Sequence, residues 1–226
     1  ESDSGSYTHA GPEIGVASTK AFLGQLIVLY ILCLKFSSMR GEIDKKLYNQ
    51  NINNLKKLPE AIKETLNLEN NIQLISKEFM EARGSMFLGR GSSFPIALEG
   101  ALKLKELSYL HAEGYPAGEM KHGPLALIEE GLPVIIIAPK DKYFEKTLSN
   151  TQEVIARGGK IFFITDNKKD SLSDNIRFGL RVPHLDCFLS SILLTVPLQL
   201  LAYHVALLKN CDIDKPRNLA KSVTVE

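Results

Sequence analysis

Pro133-Val134-Ile135-Ile136-Ile137-Ala138 and Lys160-Ile161-Phe162-Phe163-Ile164-Thr165 are two short apolar runs with no polar residue alternating through them. A strand with one wet face alternates apolar and polar residues, whereas a strand apolar at every position has both faces covered. The stretch between them, at 142–157, reads as a helix. Strand, helix, strand with doubly apolar strands is a parallel crossover unit. Working outward, similar runs bounded by Gly or Pro fall at 85–88 and 178–182, with a weaker one at 109–112. Further helical stretches lie at 93–108 and 187–209. The expected fold is therefore α/β: an open, doubly wound sheet of about five parallel strands flanked by helices. Such sheets take ligands beyond the C-terminal ends of their strands, where the strand order reverses.

Ahead of residue 84 the sequence reads as helical and shows no repeat. One long helix is expected at 19–39, ending near Gly41, and a second at 44–58, stopping at Pro59. More polar helices run through the Asn-rich 67–71 to Arg83. The 226 residues are 44% apolar and 23% charged, with 27 basic against 26 acidic side chains. That balance argues against nucleic acid or an anionic membrane as the main partner. Three cysteines, Cys33, Cys187 and Cys211, have no Cys-x-x-Cys spacing, which disfavours a disulfide framework or structural zinc and makes a reducing cytoplasm the expected setting. No basic region followed by an apolar stretch marks a signal peptide. The apolar stretch at 21–34 falls short of the ~20 residues a bilayer needs. The one at 187–208 carries Pro197, Gln199 and His204 without flanking basic clusters, as a buried core helix would. The first residue is Glu1, not Met, so the chain is expected to be processed or part of something longer.

Four places can carry chemistry. Gly89-Arg90-Gly91-Ser92-Ser93 runs from a strand into a helix; it suits a phosphate, or equally a tight turn capped by serine. On the helix that follows, Glu99, Lys103 and Glu106 fall in one stripe roughly 60° wide at 100° per residue. Apolar residues cover most of the rest. Such a stripe is either a set of spacing-matched ion pairs or the lining of a cleft, in which Glu106 could shuttle a proton and Lys103 could tune it. His122, in Gly118-Glu119-Met120-Lys121-His122-Gly123-Pro124, suits acid–base work near neutral pH, or is merely solvated. His204 reads as a core residue, and His9, His111 and His184 show no metal spacing. The tail, with Leu219, Ala220, Val223 and Val225 around Lys221, reads as docked, and a lysine so placed can act as a nucleophilic amine or remain solvated.

Four motifs together resemble one family over essentially the whole chain. They are Glu13-Ile14-Gly15-Val16-Ala17-Ser18-Thr19-Lys20-Ala21-Phe22, the run from Ala97 to Glu106, Lys121-His122-Gly123-Pro124-Leu125-Ala126-Leu127, and the tail from Asn218 to Glu226. The sequence resembles the isomerase portion of the glutamine–fructose-6-phosphate aminotransferases, most closely the bacterial ones. The resemblance implies sugar-isomerase (SIS) folds. Residues 1–43 would be the C-terminal end of a first SIS unit, 44–75 a helical connector, 76–216 a second SIS unit and 217–226 a catalytic tail. The Gly89 turn becomes mainly structural, since the family holds its sugar phosphate in the first unit.

By the same resemblance, Lys221 would form a Schiff base with open-chain fructose 6-phosphate. Glu106 would move a proton between the first and second sugar carbons, and Lys103 would support it. His122 would assist ring opening, reaching the site of a neighbouring subunit in a homodimer. Val16, Ser18 and Ala220 would touch the sugar. Glutamine hydrolysis in an N-terminal glutaminase domain would supply ammonia, giving glucosamine 6-phosphate, with no metal or organic cofactor. The chain alone is expected to be weak or inactive, lacking the phosphate-gripping part. A non-catalytic SIS module that senses a phosphosugar, and a stand-alone sugar-phosphate isomerase, are the competing readings. The paired Lys221 and Glu106 speak for an enzyme.

Overall fold

The apolar runs do form the sheet expected of them. In a computed structural model, which describes residues 3–168, 176 and 178–221, the strands are β1 (Gly84–Gly89), β2 (His111–Pro116), β3 (Pro133–Ile137), β4 (Lys160–Thr165) and β5 (Phe178–Arg181). They pair in the order β2-β1-β3-β4-β5, every neighbour parallel. The order reverses at β1, whose two neighbours are the next two strands in sequence. The helices are α1 (Lys20–Met39), α2 (Lys45–Leu55), α3 (Leu58–Leu66), α4 (Glu69–Ser76), α5 (Ser93–Ser108), α6 (Phe144–Ile155) and α7 (Cys187–Leu208).

Successive strand residues feed opposite cores. Phe87, Ile135, Ile137, Phe162 and Ile164 pack with α3, α4, α5 and α7 on one face. Met86, Leu88, Val134, Ile136, Ile161 and Phe163 pack with Met120 and with Phe144 and Val154 of α6 on the other. The absence of alternation in the sequence is this double burial, with each face contributing its own oil layer. Residues 58–76, read from sequence as part of a connector, fold against α7: Leu58, Ala61, Ile72 and Ile75 are buried in the first core.

Two boundaries differ from expectation. The second helix stops at Leu55, and Pro59 lies in the first turn of α3. A helix's first amides have no intrahelical partner, so proline there removes no bond. Strand β2 begins at His111 rather than 109, because Tyr109 ends α5 in a left-handed conformation, φ 59°. Polar His111, Glu113 and Tyr115 on this edge strand also hid its length. Finally, α1 is a continuous 20-residue helix, so the length argument against a membrane span at 21–34 does not hold. Both α1 and residues 188–208 of α7 are long and apolar enough to span a bilayer; of the most apolar 18 residues in each, 72% are buried in the latter against 11% in the former. For α7 that burial is what a core helix shows.

Candidate active site

Helix α5 lies against β1, β2 and α7, and its polar stripe is buried with it. Lys103 is only 3% exposed. Its Nζ donates to Glu106 Oε2 at 2.7 Å and lies 3.6 Å from Glu99 Oε1. Burial pushes the Glu99 carboxyl above its ordinary value; Lys103 pulls it down and Glu106 adds to the rise. Glu99 is buried, and its Oε1 accepts no hydrogen bond among the described residues. Exposed pairs at this spacing are worth a few tenths of a kcal/mol. Here two carboxylates share one ammonium away from water, which makes each charge costly to disturb. Glu106 is the less buried of the two acids, and so the one a small molecule can reach.

The tail arrives from the other end of the sequence and is docked. Pro216 is buried. The Arg217 amide donates to the Tyr109 phenol oxygen at 2.8 Å, and its guanidinium lies 4.1 Å above that ring. The tail therefore hangs on the residue that ends α5. A second attachment joins it to the N-terminal segment: the Val16 amide donates to the Asp214 carbonyl at 2.9 Å. Lys221 closes the arrangement, donating to the Glu13 carbonyl at 2.5 Å with the Glu13 carboxylate 3.8 Å away. Glu13 is itself fixed, since its Oε1 accepts from the Ala21 amide in the first turn of α1. A carboxylate suits that position, where unpaired amides and the helix dipole both favour negative charge. Lys221 faces a cleft lined by Tyr7, Thr8, His9, Gly11 and Ala21.

His122 lies on a pair of 3₁₀ turns, Ala117–His122 and Pro124–Leu127. Its side chain is 76% exposed and 4.0 Å from Glu119. The structure thus gathers Lys103 with Glu106, and separately Lys221 with the Val16 segment. Val16 and Ser18 are half-buried and Ala220 is exposed. Among the described residues no hydrogen bond or ion pair joins His122 to either group. Residues 222–226 of the tail lie outside the described residues. Glu13 and Tyr109 were missed in the sequence. Glu13 opens one of the four motifs, but its neighbour in space is 208 positions away; Tyr109 read only as part of a weak strand.

The remaining candidates resolve as structure. In the Gly89 turn the Ser93 and Phe94 amides donate to Arg90 and Gly91 carbonyls, and Ser92 makes no side-chain cap. His204 is buried 3.2 Å from Glu69, and His184 Nδ1 lies 2.8 Å from Oδ2 of the buried Asp166. No group of three His, Cys, Asp or Glu able to hold a metal occurs among the described residues.

The parallel doubly wound sheet gives the fold class, and the family follows from the sequence it is built of: the chain belongs to the SIS domain family, whose model matches residues 78–209. More particularly, it is similar to enzymes named glutamine–fructose-6-phosphate aminotransferase (isomerizing). It is 51% identical over 225 residues to the one from Bartonella quintana and 50% identical over 226 to the one from Escherichia coli. These matches cover 97% and 100% of this chain, which spans 36% and 37% of those proteins. Among solved structures, the C-terminal domain of glucosamine-fructose-6-phosphate aminotransferase from Francisella tularensis superposes with a TM-score of 0.89 at 44% identity, covering 92% of this chain and 59% of that one. The resemblance read from the four motifs and the SIS fold expected from it both hold.

Proposed function

We propose that the chain is the isomerase part of an enzyme that makes glucosamine 6-phosphate from fructose 6-phosphate and glutamine. The observation that carries this reading is the buried Glu99–Lys103–Glu106 cluster, with Lys103 bonded to Glu106 at 2.7 Å, in a chain half identical to enzymes of that name. A carboxylate held by an ammonium away from bulk water is suited to taking and returning one proton. Lys221 adds its amine to the ketose carbonyl, water leaves, and an imine forms. Ammonia from glutamine then displaces the lysine amine at that carbon, freeing Lys221; the resulting imine draws electrons from the neighbouring carbon, so Glu106 can move a proton from the first to the second sugar carbon. Lys103 keeps Glu106 oriented and touches sugar hydroxyls, and His122, from the neighbouring subunit of a homodimer, assists ring opening. Val16, Ser18 and Ala220 line the sugar.

In this reading residues 1–43 end a first SIS unit that grips the phosphate, 44–75 connect, 76–216 form the second unit and 217–226 are the catalytic tail. The remainder of a longer protein supplies that phosphate grip and the glutaminase, and the whole works in the cytoplasm. The first unit also covers the exposed face of α1. Borohydride added to the complete protein with fructose 6-phosphate is the test. A covalent adduct on Lys221, found by peptide mass spectrometry and lost in Lys221→Ala, is expected; the same adduct yield in that variant would overturn the assignment.

A further inference from the structure

The loop that carries His122 is held from behind. Met120 is fully buried in the core formed with α6. Lys121, next in sequence, puts its Nζ 2.9 Å from Glu153 Oε1 on α6. The Glu153 side chain is only 20% exposed, and its second oxygen is buried with no hydrogen-bond partner among the described residues. One helical turn before it, Asn150 accepts from Arg90 at 3.1 Å. The Arg90 guanidinium covers Gly118, where a Cβ would come within 3.3 Å of it. One face of α6 thus backs the loop: Asn150 through Arg90 at Gly118, Val154 in the core with Met120, and Glu153 at Lys121. His122 follows directly and is left open to solvent. The Lys121 side chain is 63% exposed, so the pair is a modest one by charge alone; what it does is tie a mostly buried carboxylate on α6 to the residue before His122.

We infer that Glu153, acting through Lys121, is a positioning residue for His122: α6 sets the height at which the histidine is presented beyond the surface. The inference rests on the role given to His122 above and adds the group that aims it. A catalytic group misplaced by about an ångström can lose one to two orders of magnitude in rate. Glu153 touches no substrate in this arrangement, so its loss should act on turnover and leave KM nearly unchanged.

The experiment compares Glu153→Gln, Lys121→Glu, the swap Lys121→Glu/Glu153→Lys, and His122→Ala in the complete protein. Amide hydrogen exchange of residues 117–124 is read beside kcat and KM. Both single charge variants should exchange faster in that segment and lose about tenfold in kcat at constant KM, and the swap should restore both. The inference is overturned if exchange or kcat in Glu153→Gln stays at the wild-type value, or if the swap restores neither while the protein remains folded by circular dichroism. Wild-type turnover in His122→Ala would sink the role of His122 itself, and the inference with it; an inactive His122→Ala beside a fully active Glu153→Gln would sink the inference alone.

Discussion

Glu99 shows how burial changes the meaning of a residue. By spacing, it is one of two acids flanking Lys103; in the fold it is buried and shares that one lysine with Glu106 at 2.7 Å and 3.6 Å. Its carboxyl is raised above the ordinary value mainly because burial disfavours its charged form. A group that binds its proton more tightly folded than unfolded contributes stability while protonated and loses it as pH rises through the raised range. Replacing it by glutamine removes that loss. In urea unfolding, Glu99→Gln should therefore gain on the wild type as pH rises above about 4, where an ordinary glutamate carboxyl ionises. A stability difference that is flat with pH would mean that the attraction of Lys103 cancels burial, and one that favours the wild type increasingly toward neutrality that it outweighs it; either overturns the expectation. The stripe of Glu99, Lys103 and Glu106 was legible at 3.6-residue periodicity. Its burial stayed open between surface ion pairs and a cleft, because that depends on what packs against α5, including α7 roughly 90 residues downstream.

At the scale of elements, local rules held for the apolar runs that became strands, but not at Pro59, which opens α3 instead of stopping α2. They failed where a terminus is set by a distant partner. Tyr109 is the clearest case: a tyrosine at φ 59° ends α5, a position that glycine or asparagine usually fills. Its compensation is tertiary, the Arg217 amide on its hydroxyl and the guanidinium on its ring. The Gly89 turn is the opposite case, decided by backbone geometry alone. A Cβ on Gly89 would lie 2.1 Å from the Ser93 carbonyl oxygen, a main-chain atom that cannot swing away. Gly89→Ala should cost about 3 kcal/mol or more by chemical denaturation, at the upper end of single-site effects. A cost below about 1 kcal/mol would show that β1 and α5 can separate there without disturbing the core.

For the molecule as a whole, the two long apolar helices have opposite fates. Helix α7 is the spine of one core, with Leu189, Leu193, Leu194 and Ala202 fully enclosed. Helix α1 is wrapped by little of this chain, and Leu29, Phe36 and Met39 remain exposed on it. Exposed apolar patches of that kind mark interaction surfaces. At tens of micromolar, the 226-residue chain alone should self-associate through α1. Light scattering should show the mass falling toward the 25.1 kDa of one chain when Leu29 and Phe36 are replaced by glutamate. A wild-type chain that stays monomeric under the same conditions would show that α1 needs no cover.

The sequence by itself determined the parallel sheet, the helices between its strands, the Glu99–Lys103–Glu106 stripe and the kinship with the aminotransferases. Each of these is written in local periodicity or in contiguous motifs, so no knowledge of distant contacts is needed to read it. The tertiary structure alone decided that the stripe is buried, that Tyr109 docks the tail, that Glu13 holds Lys221 from 208 positions away, and that α6 stands behind His122. Those facts depend on which surfaces meet when the chain closes on itself. Contacts between residues far apart in the chain follow from the packing of whole elements, and no single stretch of sequence records them.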